Sequence, residues 1–200
     1  MKPIERTDLL DIAQYERVRE SMRAEIIALK RNRRIELGPN LSLVFENRQT
    51  VLFQIQEMVR TERLVDDARI QNEIDAYQNL IPRPGELSAT LFIEIPHLAA
   101  LPHAQAMEAV NYFRGFDQGG IGIEAGEARS IAVFDSGFSN EEKMAAVQYL
   151  KFPASRALRA ALAEESETAR LVADNGRYRA ARELGIETRR ELIRDLQETA

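Results

Sequence analysis

The chain has no cysteine, no tryptophan and only two histidines among its 200 residues. Without thiolates it can hold no cysteine-ligated iron–sulfur cluster, no cysteine zinc site and no disulfide. The histidines, His97 and His103, lie six apart around a proline-interrupted segment. A metal pair there would need the loop to fold back, so ordinary surface positions are the simpler reading. No run approaches the roughly 18 apolar residues of a membrane span, and the opening MKPIERTDLLD lacks the apolar centre of a signal peptide. These absences lead us to expect a cytoplasmic protein with neither metal nor other cofactor. A basic excess is missing too. The net charge of −5 and pI near 5.3 argue against a dedicated DNA-binding protein. There is no phosphate-cradling glycine loop, no HExxH and no GxSxG, and Ser136 sits in a turn-like stretch without triad partners.

What is present is a chain with 44% hydrophobic and 30% charged residues, enough to build a sizeable core. Ile12, Tyr15, Val18, Met22, Ile26 and Leu29 recur every three or four residues, predicting a helix from Thr7 or Asp8 to about Lys30. It ends in the basic run 30–34, whose cations suit a solvated helix C-terminus. RNA binding through that run ranks last among the functional readings. A hairpin follows, from Arg34–Leu37 to Leu41–Glu46 through Gly38-Pro39-Asn40. Further helices are expected from Asp66 to about Leu80, after Pro102 up to Gly115, after Ser139 with Glu142, after Pro153, and from Thr188. Strands are expected at 87–95, 121–125, 129–135 and 171–174, and at 147–151 with helix as the alternative. Hairpins mixed with helices predict an α+β fold, a mainly antiparallel sheet packed by the long N-terminal helix and further helices. We expect one domain over 1–200. A seam near Pro96 would divide a helix–hairpin–helix–strand half from a smaller strand–helix half.

The organising stretch is 38–64, GPNLSLVFENRQTVLFQIQEMVRTERL. Leu41, Leu43 and Phe45 alternate with Ser42, Val44 and Glu46, and Asn47 stands where a helix N-cap belongs. In the helix beyond it, Val51, Ile55, Met58 and Val59 form an apolar arc that also contains Glu62 and is bordered by Gln54. Either Glu62 reaches water from a fraying last turn, or it is a partly buried carboxylate with a cationic or ligand partner. Glu46, Asn47 and Arg48 form a strand-to-helix corner able to receive an anion. Glu57, Arg60 and Glu62 lie a turn apart, and Glu86 flanks the strongest strand. Together with Asn40, these residues are the candidate binding surface. Carboxylates so placed suit acid–base work or a di-metal centre, but the pairing of Glu with Glu-x-x-His that a ferritin-like site needs is read as absent. Salt-bridged helix surface is the plainer account of pairs such as Glu57 and Arg60.

Three segments, MKPIERTDLLDIAQYERVR, GPNLSLVFENRQTVLFQIQEMVRTER and IPRPGELSATLFIEIP, give the chain its resemblance to a bacterial family catalogued as a domain of unknown function. The likeness covers nearly the whole chain. Members of that family are typically encoded beside a rubrerythrin-like protein and an iron–sulfur oxidoreductase related to heterodisulfide reductase subunits. The resemblance therefore implies an accessory role in redox or peroxide handling, with those proteins as partners, and it supplies no catalytic residues. Many members carry a His-Pro pair after the last strand where Asn175-Gly176 stands here. Two functions follow as expectations. The first is a non-catalytic interaction protein, with a homodimer as the commonest assembly. The alternative is a small-molecule-binding protein or enzyme using a carboxylate and arginine pocket around 40–62 and Glu86.

Overall fold

The computed structural model describes residues 1–135 and 146–198. Ser136 and the proposed cap Ser139 with Glu142 lie outside them. In chain order the first elements are α1 (Ile12–Arg31), β1 (Arg34–Glu36), β2 (Leu41–Glu46), α2 (Arg48–Thr61), α3 (Asp67–Gln78), β3 (Glu86–Ile93) and α4 (His103–Asn111). There follow β4 (Ile121–Ala125), β5 (Ala128–Ile131), β6 (Val133–Phe134), β7 (Val147–Pro153), α5 (Arg156–Ala163), β8 (Ala169–Asp174), β9 (Arg179–Glu183) and α6 (Ile186–Glu198). This is an α+β fold in which every strand pair is antiparallel.

The strands form two sheets, ordered β1-β2-β3-β7-β6 and β5-β4-β8-β9. The expected strand 129–135 is broken at Ala132. β5 pairs with β4 in one sheet and β6 with β7 in the other, so this stretch passes between the sheets. Ala132 holds the crossing by donating its N–H to the Ile121 carbonyl. Between the sheets lies one apolar cluster. Leu43, Phe45, Leu91 and Phe152 of the first sheet meet Ile123 and Leu171 of the second, closed by Leu158 of α5 and Leu192 of α6. Residues from both sides of Pro96 share this core, and β7 completes the first sheet beside β3.

The outer face of the first sheet is covered by α2 and α3, whose Val51, Ile55, Val59, Ile70 and Ile74 form a second buried cluster with Ile4 and Leu9. That cover explains β2. Its sequence alternates, yet all six residues are buried, because one face meets the core and the other meets α2.

The long first helix departs from expectation. It starts at Ile12, capped by Asp11, whose carboxylate accepts from Gln14 N; residues 6–8 form a separate 3₁₀ turn. It packs on α2 instead of on the sheet, and only Tyr15 is buried along its 20 residues. Asn47 and Asp66 cap α2 and α3 as their positions predicted. α4 ends at Asn111, before Gly115. α6 begins at Ile186, so Thr188 is a buried residue inside the helix and not its cap. β9, with the sequence RAARE, went unanticipated because it carries no apolar alternation. The hairpin turn leans on the far end of the chain: Tyr178 donates its hydroxyl to the Leu37 carbonyl at 2.6 Å. Gly38, at φ +78°, is required there, since a Cβ would stand 2.3 Å from that hydroxyl.

The basic run closing α1 is not simply solvated. Arg33 is fully buried and makes a bidentate pair with Asp195 of α6 at 2.7 and 2.9 Å, plus a bond to Glu191 at 2.8 Å. The Asn47 side chain also meets Asp195 while its Oδ1 caps α2. Four elements are thus tied at one buried ion pair. Replacing Arg33 by Met leaves Asp195 uncompensated and is expected to cost about 3–5 kcal/mol in urea unfolding. The double change Arg33→Met with Asp195→Leu is expected to recover most of that loss, since no unpaired buried charge remains.

Candidate functional site

The predicted residues fall into separate places, and two of these are extended polar clusters on opposite faces of α2. Towards the sheet lie Glu46, Gln54 and Glu86. Strand register sets Glu46, Ser88 and Lys151 in one row and Val44, Thr90 and Tyr149 in the next. The Glu46 side chain is buried, and its carboxylate accepts from Thr50 Oγ1 at 2.5 Å and Thr90 Oγ1 at 2.7 Å. Among the described residues no lysine or arginine pairs with it. Ser88, its direct cross-strand neighbour, is buried with no hydrogen-bond partner for its hydroxyl among those residues. At the end of the row Lys151 lies 3.2 Å from Glu86 and donates to the Ile81 carbonyl. Burial pushes the Lys151 ammonium below its ordinary value despite Glu86. Burial likewise pushes the Tyr149 phenol up, while a hydrogen bond with Gln54 acts against that shift. The Glu46 side chain is 3% exposed, beneath α2.

Towards α1 the arrangement is ionic. Glu57 accepts from the Tyr15 hydroxyl at 2.7 Å and from Arg19 at 2.7 and 2.8 Å, with Arg60 Nε 3.4 Å away. Arg60 also reaches Glu16. The hydrogen bonds from Arg19 are the main reason the Glu57 carboxyl is held down at about 2. Burial and the same carboxylate push the Tyr15 phenol up. Arg48 is spent on the N-terminus, pairing with Asp8 at 2.6 Å and donating to the Lys2 and Pro3 carbonyls. Glu62, the C-cap of α2, is exposed, as the reading of a last turn reaching water had it. Asn40 sits at the far end of β2, its amide on the Glu94 carbonyl. Arg48 and Arg60 therefore face the N-terminal segment, whereas the partner of Glu86 is Lys151.

Several members of these clusters were missed in the sequence. Thr90 and Ser88 were visible as the polar face of β3, and Lys151 as an end of β7. Tyr15 and Arg19 read only as part of a helix stripe and its surface. His97 and His103 are both exposed. A Glu-x-x-His spacing does occur at Glu94 and His97, but off any helix: His97 has φ 58°, and Glu94 pairs with Arg34. Among the described residues no group of three His, Asp or Glu could hold a metal ion, and no helix is long and apolar enough to cross a membrane.

Two antiparallel sheets sharing one core, with α2 and α3 on the outer face and α5 and α6 on the inner side, define the class of protein. Residues 3–196 match the family described as protein of unknown function (DUF3501), and the chain belongs to it. It is similar to a crystal structure of a protein of unknown function from Burkholderia pseudomallei K96243. That chain is 29% identical, with a TM-score of 0.85, and the match covers 98% of this chain and 100% of the other. No curated protein matches.

The Glu57 network makes a pH prediction. Its folded pKa lies below the unfolded one, so its stabilisation is complete above pH 4.5 and lost as pH falls towards 2. After allowance for solvent screening at this partly exposed site, Glu57→Gln should cost about 1–2 kcal/mol at pH 7. In thermal melts across this range, the gap between wild type and variant should close near pH 2.

Proposed function

We propose that this protein is a non-catalytic accessory protein that docks onto partners in a redox or peroxide-handling system. The observation that carries the reading is α1. A 20-residue helix that buries one side chain contributes little to the core, and it leaves Val18 and Ile27, on opposite sides of the helix, 39% and 46% exposed. Setting aside Arg19, committed to Glu57, and Glu16, paired with Arg60, its basic residues Arg17, Arg23, Lys30 and Arg31 outnumber Glu20 and Glu25 in a chain of net charge −5. A partner suited to this helix carries apolar contacts within an acidic rim. The redox setting, with a rubrerythrin-like protein and an iron–sulfur oxidoreductase as partners, comes from the family resemblance. The internal pairing of Arg33, Arg48, Glu57 and Arg60 also supports interaction over catalysis, because these groups are already committed to the fold.

Glu46 favours a second reading, a small-molecule-binding protein or enzyme. A buried carboxylate without a cation, beside an unpartnered serine hydroxyl, is unusual in a purely structural seam. Under that reading, native mass spectrometry of the purified protein shows a bound small molecule that Glu46→Gln loses. Under the docking reading, a pull-down from the native organism recovers the rubrerythrin-like or iron–sulfur protein with wild type. Val18→Asp with Ile27→Asp reduces that recovery at least tenfold at unchanged melting temperature. Recovery of neither protein by wild type contradicts the docking reading.

A further inference from the structure

Between α5 and α6 the surface opens into a cavity of about 240 Å³ that the clusters around α2 do not touch. Leu162, Ile186 and Ile193 supply its apolar lining, and Arg189, Arg190 and Arg194 supply its charge. The arginines differ in role. Arg189 is 5% exposed, and its guanidinium donates to the carbonyls of Ala161, Leu162, Glu164 and Glu167 at the end of α5. Its donors are taken by those carbonyls, and it also acts electrostatically on the nearby Glu164 carboxylate. Arg190 and Arg194 stand one helical turn apart on α6 at 57% and 60% side-chain exposure. Their pairs with Glu187, Glu165 and Glu191 are solvent-exposed on the arginine side and weak, leaving both guanidinium groups donors to spare. Glu165 is the one acidic residue lining the cavity, against three arginines.

We propose that this groove binds a small amphipathic carboxylate, its apolar chain on Leu162, Ile186 and Ile193 and its anionic head between Arg190 and Arg194. Planar guanidinium groups suit a carboxylate because they bond it in bidentate fashion. Size limits the ligand. A cavity of about 240 Å³ suits a short-chain acid, for which a six-carbon acid is a fitting probe. An amine of the same length would bring its positive head against Arg190 and Arg194 and be disfavoured by like charge. This site is independent of docking through α1.

The test is titration of the purified full chain with hexanoate, hexanol, hexylamine and acetate, followed by calorimetry and by amide shifts in α5 and α6. Hexanoate is expected to bind with Kd on the order of 0.1–1 mM, at least tenfold tighter than the other three. Arg190→Gln with Arg194→Gln removes the head contacts at exposed positions, and Ala163→Phe fills the groove while keeping the arginines. Each is expected to weaken hexanoate at least tenfold with the melting temperature unchanged. Failure of hexanoate to bind at 10 mM, equal binding of hexanol, or retained affinity in both variants would overturn the proposal.

Discussion

The buried pair of Arg33 and Asp195 is the constraint on which the rest of the structure depends. It sits where α1 turns into β1, and Arg33 accepts an N–H from Phe45 of β2 at its own carbonyl. Asp195 brings α6 to that corner, and Asn47 adds the start of α2. A guanidinium without exposure to water could not stay there alone, because desolvation would cost several kcal/mol. α6, the last described element, is therefore locked against the first sheet, and its Leu192 and Leu196 close the core that the second sheet shares.

This lock separates two kinds of polar group. Those around α2 and α6 are fixed by partners and hold elements in register: Glu57 joins α1 to α2, Arg189 joins α6 to α5, and Tyr178 joins the second half to the first hairpin. Those on the outer face of α1 and on the rim of the α5–α6 groove have only weak exposed pairs or none. Only the second kind keeps hydrogen-bonding capacity to spare, since a charge already desolvated and satisfied has little left to give a ligand. This division shifts attention from Glu46 and Glu57 to the surface of α1.

Much of the architecture was legible because it is local. Asn47 and Asp66 announced their helices through capping chemistry, and the alternation of Leu41–Glu46 and Leu87–Ile95 gave the central strands. What was not legible depended on distance. The partners of Arg33 lie 158 and 162 positions away, so a basic run at a helix end looked like a solvated one. The helix expected from Thr7 or Asp8 starts instead after Asp11, and residues 6–8 form a 3₁₀ turn that packs against α3. β9 has no apolar alternation to reveal it, and the break at Ala132 follows from where the two sheets lie. Of the candidate site, the polar residue types were readable, but their direction was not. Arg48 pairs with Asp8 and Glu86 with Lys151, so the two expected partners are each engaged elsewhere.

The central claim is that α1 is an interaction surface whose partner is a redox protein. Cross-linking in the native cell through Lys30, the only lysine of α1, followed by mass spectrometry, tests it most directly. The account predicts cross-links from Lys30 to a rubrerythrin-like or iron–sulfur protein. Cross-links from Lys30 confined to this chain, while other lysines reach other proteins, would contradict it.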